Sequence, residues 1–129
     1  MPDEMPNLWP EDLGGDQNVV TPTTVLKEAA AQLGRQTRQL VRARVSTDVR
    51  GDSLEHTFWI EVPSLEYRYE LFRLQHPVDS FYPLHTGQWV DRQEVVIRSE
   101  DELKEYLRDI FGSEHTKRLV GTLLRQVRS

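Results

Sequence analysis

The chain has 129 residues, a net charge of −5 and no cysteine. That length suits one domain able to bury about two thirds of its unfolded surface without a metal or disulfide, and the absence of thiols excludes disulfides, thiolate zinc sites and cysteine nucleophiles. No apolar run approaches the ~20 residues that span a bilayer, and the start has neither the basic nor the apolar region of a signal peptide, so the expected address is the cytoplasm, with no membrane partner.

Charge is segregated along the chain: residues 1–26 carry −5, 27–50 carry +4, 51–110 carry −7 and 111–129 carry +3. Residues 1–20 hold five acids, no base and three prolines. They predict an extended acidic arm ahead of a single domain at 21–129, because Pro2, Pro6 and Pro10 block helix and Gly14-Gly15 makes a flexible joint. Met5, Leu8, Trp9 and Leu13 stand among Asp3, Glu4, Glu11, Asp12 and Asp16. Such an arm is expected either to dock on the domain or to be read by a partner.

Thr21 as cap, Pro22 at the first helical position and apolar residues Val25, Leu26, Ala29, Ala30 and Leu33 predict a helix over 22–33, ending before Gly34, with a helix that runs on through Gly34 as the competing reading. Alternation then sets in between Gln39 and Val45, with Val41, Ala43 and Val45 on one side and Leu40, Arg42 and Arg44 on the other. After the turn residues Arg50-Gly51-Asp52-Ser53, the even positions Leu54, His56, Phe58, Ile60 and Val62 alternate with Glu55, Thr57, Trp59 and Glu61. The even face is the expected floor of the core.

Pro63-Ser64-Leu65 reads as a reversal into a third strand, 66–75. There Tyr67, Tyr69 and Leu71 share one side while Phe72 and Leu74 share the other, a phase change that implies a bulge or two buried faces. Short strands are expected near 81–85 and at 94–98, around a segment broken by Pro77, Pro83 and Gly87 that must also place Trp89 and Val90. Ser99 with Glu102 forms a capping box for a helix whose stripe Leu103, Tyr106, Leu107, Ile110 and Phe111 stops at Gly112. Ser113 caps a second helix with the stripe Thr116, Leu119, Val120, Leu123, Leu124 and Val127, and Arg125 and Arg128 near its negative end. The expected fold is α+β, a two-layer sandwich of an N-terminal helix, an antiparallel sheet of four or five strands and two C-terminal helices.

With the even face buried, Trp59 lies on the opposite face of the sheet. Hairpin parity puts Arg42 and Arg44 there too, where carboxylates and the indole are local partners. The indole is covered by the arm through Trp9 or Leu8, stays a half-exposed cross-strand aromatic, or serves an interface, for which aromatic and Arg residues are the usual anchors. The candidate partner-binding residues are therefore Leu8, Trp9, Leu13, Arg42, Arg44 and Trp59.

No catalytic, cofactor or metal residue is assigned. His56, His76, His85 and His115 sit in no HExxH or other common metal spacing, and His56 on the core face is expected to be a hydrogen-bonded buried imidazole. His76, Asp79, Tyr82 and His85 form a loop cluster in which acid and base could converge, the basis of an enzyme reading. There is no P-loop, GxGxxG or GxSxG.

The order helix, three strands, helix resembles double-stranded RNA-binding domains in topology. That family's second helix opens on a lysine-rich phosphate clamp, where this chain has Ser113-Glu114-His115-Thr116-Lys117-Arg118 with an intruding Glu. Arg35, Arg38, Lys117, Arg118, Arg125 and Arg128 would carry nucleic-acid binding, which ranks below protein binding. In size, acidity and α+β character the chain is also similar to small acidic secretion chaperones and immunity proteins, though no motif carries either likeness. The expected function is a non-enzymatic cytosolic protein-binding module whose partner is another protein, a second copy in a homodimer, or both.

Overall fold

A computed structural model of the chain describes residues 5–14, 19–87 and 93–129. Its elements are helix α1 (Pro22–Gln36), strands β1 (Arg42–Arg50), β2 (Ser53–Val62) and β3 (Tyr67–Pro77), the short strands β4 (Leu84–His85) and β5 (Val96–Ile97), and helices α2 (Glu100–Phe111) and α3 (Glu114–Arg128). The strands form one antiparallel meander in sequence order. The fold is α+β, as the residue pattern implies. Expectations resting on Asp3, Glu4, Gly15, Asp16, Trp89 and Val90 lie outside the described residues.

Each helix begins on the expected cap. The Thr21, Ser99 and Ser113 hydroxyls accept from the backbone N–H groups of Thr24, Glu102 and Thr116, and the Glu102 carboxylate reaches back to the Arg98 N–H. These contacts satisfy N–H groups that the helical ladder leaves unpaired.

Several bounds differ from the expected ones: β3 is Tyr67–Pro77 and not 66–75, and the short strands are Leu84–His85 and Val96–Ile97 in place of 81–85 and 94–98. α1 continues past Gly34 to Gln36; a Cβ at Gly34 would stand 2.7 Å from the side-chain oxygen of Gln39, and that exposed side chain would have to shift. Arg38 and Gln39 then take left-handed backbone (φ 54° and 66°), so the first strand starts at Arg42 and not at Gln39. Thr37 closes the corner. Its buried hydroxyl donates to the Val41 carbonyl at 2.6 Å and accepts from the Val41 N–H at 3.2 Å.

The β1–β2 hairpin turns on Gly51, whose φ of 62° fits the first position of a tight two-residue loop. Between β2 and β3 the register shifts: Phe58 faces Phe72, yet Trp59 faces Glu70, leaving Leu71 as the extra residue. This bulge resolves the phase change in β3, since it keeps Tyr69 before it and Phe72 after it on one face.

That face carries the core. Phe58, Ile60, Val62, Phe72, Leu74 and Leu84 are buried beneath Leu26 of α1 and Leu103, Leu107 and Ile110 of α2. Phe58 stacks on Phe72 with centroids 5.0 Å apart, Phe111 tilts against both, and Tyr106 meets Phe72 edge-on. From α3, the His115 Nε2 lies 2.9 Å from the Tyr69 hydroxyl. All three helices thus cover one side of the sheet.

Candidate functional site

The uncovered side presents the odd residues of β2 between their neighbours on β1 and β3. Arg44 stands opposite Trp59, Ser46 opposite Thr57, and Arg42 opposite Glu61. Trp59 is half-buried there, its indole N–H donating to Ser46 Oγ at 2.9 Å. The guanidinium stacked on the indole belongs to Arg68, 4.7 Å from the ring centroid, and not to Arg42 or Arg44. Arg68 pairs with Glu61 in the register and so lies diagonal to Trp59. Arg44 pairs with Glu61 at 3.6 Å, while Arg42 is exposed. Thr57 is buried although it points away from the helices, flanked by Ser46 and Arg73.

Further along this face, Glu55 gathers Arg50 and Arg73 at 3.6 Å each, with its side chain only 12% exposed. Arg73 also bonds Glu70 at 2.7 Å, and that hydrogen bond holds its guanidinium still more firmly in the charged form. Glu55, Glu70 and Arg73 line a depression of about 360 Å³ with Gln75, His85, Thr86 and Gly87. Arg73 thus engages both carboxylates. Among the described residues no group of three or more His, Asp or Glu is placed to hold a metal ion.

The loop cluster does not converge. His76 lies on the helix side of the sheet, whereas His85, paired with Gln75 in the register, lies on the open side, 3.2 Å from Glu94. Asp79 is exposed. Burial, with a smaller contribution from Glu100, raises the Tyr82 phenol above its usual range, and its buried hydroxyl has no partner among the described residues.

His76 is instead half of a buried pair. Its Nδ1 faces the carbonyl oxygens of Pro77 and Ser80 at 2.8 and 2.7 Å, so Nδ1 carries the proton and donates. In the neutral ring Nε2 is then an acceptor, which requires the His56 Nε2–H, 2.8 Å away, to donate to it. His56 Nδ1 is left to accept from the Thr47 hydroxyl at 2.8 Å. Burial, reinforced by His76, pushes the His56 imidazole down to about 4. The expected hydrogen-bonded core histidine is present, with a second histidine as its partner.

The arm residues stand apart from the globule: Leu8 is 72% exposed, Trp9 69% and Leu13 63%. The Trp9 N–H donates locally to Asn7 Oδ1 at 3.1 Å. The arm therefore does not cover Trp59, whose neighbours come from its own sheet.

One further feature escaped the sequence reading. α1 and α3 diverge over the sheet and leave a groove of about 440 Å³, with Phe58 and Ile60 as its floor, Leu33 on one wall, Val120 and Leu124 on the other, and Phe111 among its lining. Apolar periodicity marks these residues as core but cannot say how far apart two helices sit. The available signal was Gly121, a poor helix former in the middle of a strong apolar stripe.

Comparison of the chain with family models, curated proteins and solved structures found no match in any of the three. No helix among the described residues is long and apolar enough to cross a membrane.

Proposed function

We propose that this chain is a non-enzymatic protein-binding module of the cytoplasm, with the acidic arm as its recognition segment. The observation that carries the reading is the exposure of Leu8, Trp9 and Leu13, each more than three-fifths open to solvent. A chain that leaves an indole and two leucines in water forgoes about 1.5–3 kcal/mol for each, which a partner recovers by covering them. Arg42, Arg44 and Trp59 supply a second contact surface. The Ser46 hydrogen bond and the Arg68 stack hold that indole in place, and a pre-ordered aromatic beside arginines is the composition of interface hot spots. Engaged carboxylates on the open face and dispersal of the loop histidines favour binding over catalysis.

Photo-crosslinking in the living cell tests the reading, with a photoreactive residue placed in turn at positions 8, 9, 13, 42, 44 and 59. Discrete adducts of defined mass are expected from the arm positions. If no position yields an adduct, the binding-module reading fails.

A further inference from the structure

We infer that the groove between α1 and α3 seats residues 5–14 of a second copy of this chain, so that two molecules exchange arms about a two-fold axis. The inference rests on reading the arm as the recognition segment and names its partner.

The groove has the chemistry of a seat. Its volume of about 440 Å³ lies within the range of roughly 300–1,000 Å³ typical of ligand pockets. Its floor and walls are mainly apolar, and the one charged residue among those lining it is Lys117, which pairs with the exposed Glu114 at 3.3 Å. Helical spacing carries the same row onward to Arg125 and Arg128, one turn beyond Gly121 and Leu124, and neither makes an ion pair among the described residues. An occupant should thus be apolar at its centre and acidic around it. Leu8, Trp9 and Leu13 with Glu11 and Asp12 meet that description, within a stretch of five acids and no base.

Gly121 adds an independent reason. A glycine inside a helix costs roughly 0.5–1 kcal/mol relative to alanine, yet a Cβ at this position would meet nothing within 4 Å. The folded chain itself has no need of the missing side chain. An occupant that approaches the α3 backbone does. The α3 wall is also incompletely buried: Val120 and Leu124 remain half-buried, while Leu123 is the buried leucine of the stripe.

Within one chain both halves of this complementary pair are open, the arm exposed and the groove unfilled. Reciprocal exchange between two copies fills both grooves at once, in a closed and self-complementary arrangement.

The experiment pairs sedimentation velocity on the full chain, from micromolar to near-millimolar concentration, with calorimetry of a synthetic peptide of residues 1–20 against protein lacking them. A concentration-dependent dimer is expected for the full chain and a monomer for the shortened one. The peptide is expected to bind the shortened protein, more weakly at higher salt. Trp9→Ala in the peptide, or Gly121→Leu in the protein, should each weaken binding by about tenfold or more. Gly121→Leu enters open space, so its melting temperature should not fall, and Gly121→Ala provides a milder check with a raised one.

A peptide that does not bind, or that binds Gly121→Leu as well as the parent, overturns the inference. So does a full chain that stays monomeric at every concentration. In those cases an in-cell adduct at position 9 with a different protein leaves the binding-module reading standing, whereas adducts at no position remove both.

Discussion

His56 and His76 show how a buried polar pair constrains protonation. The chain Thr47 hydroxyl to His56 to His76 to the Pro77 and Ser80 carbonyls has a single consistent direction of donation when both rings are neutral. A proton added at His56 Nδ1 must turn the Thr47 hydroxyl around, and it places a charge on a buried ring. Unfolded, this imidazole protonates near pH 6.5; folded, only near 4. The unfolded state therefore binds more protons between those values, so the contribution is fully present above about pH 6.5 and is lost as the pH falls toward 4. Urea denaturation across that range should show a loss on the order of 2 to 3 kcal/mol. In His56→Leu the acid-dependent component should be missing, on a lower baseline.

Two other buried hydroxyls predict opposite outcomes. Thr37 bridges the Val41 N–H and carbonyl where α1 meets β1, so Thr37→Val orphans buried groups and should cost about 1–3 kcal/mol. The Tyr82 hydroxyl is buried without a partner among the described residues, so Tyr82→Phe should be neutral or stabilising by up to about 1 kcal/mol. Denaturant midpoints of the two variants measure both. A stabilised Thr37→Val or a markedly weakened Tyr82→Phe would contradict these assignments.

At the scale of elements, β3 depends on its bulge. Leu71 is the extra residue between Glu70 and Phe72, and it lets Tyr69 and Phe72 share the helix-facing side. Deleting Leu71 makes the strand regular without changing either face, so that variant should fold, at a cost of about 0.5–3 kcal/mol. Deleting Thr57 from the unbulged part of β2 turns part of the strand's apolar set toward solvent. That variant should not fold cooperatively, as circular dichroism melts would reveal.

α1 makes a related point about local signals. Gly34 reads as a stop, yet the helix passes through it, since a single glycine costs a helix interior only about 1 kcal/mol relative to alanine. The stop comes later, from Arg38 and Gln39 in left-handed backbone.

For the whole molecule, the arm and the globule are separable in energy. Leu8, Trp9 and Leu13 are largely exposed, whereas the sheet and helices share one core. Removing residues 1–20 spares the Thr21 cap and should shift the melting temperature of the dilute, monomeric protein by less than about 2 °C. Calorimetry at low concentration measures this, and a large drop would mean that the arm packs on its own domain.

The amino-acid order by itself determined the helix starts, the alternation of β2, its core face from Leu54 to Val62 and the acidic, proline-broken composition of the arm, but not whether that arm docks. Each follows from neighbours a few residues apart: a hydroxyl three positions ahead of an N–H, a period of two, a run of like charges and prolines. Only the tertiary structure decided that Arg68 and not Arg44 covers Trp59, that His76 parts from His85 to join His56, and that α1 and α3 stand apart over Phe58 and Ile60. Those outcomes depend on the register of distant strands, shifted by one residue at Leu71, and on the distance at which two helices settle on a shared sheet. Periodicity names the face a residue occupies; it carries no measure of what lies across from that face.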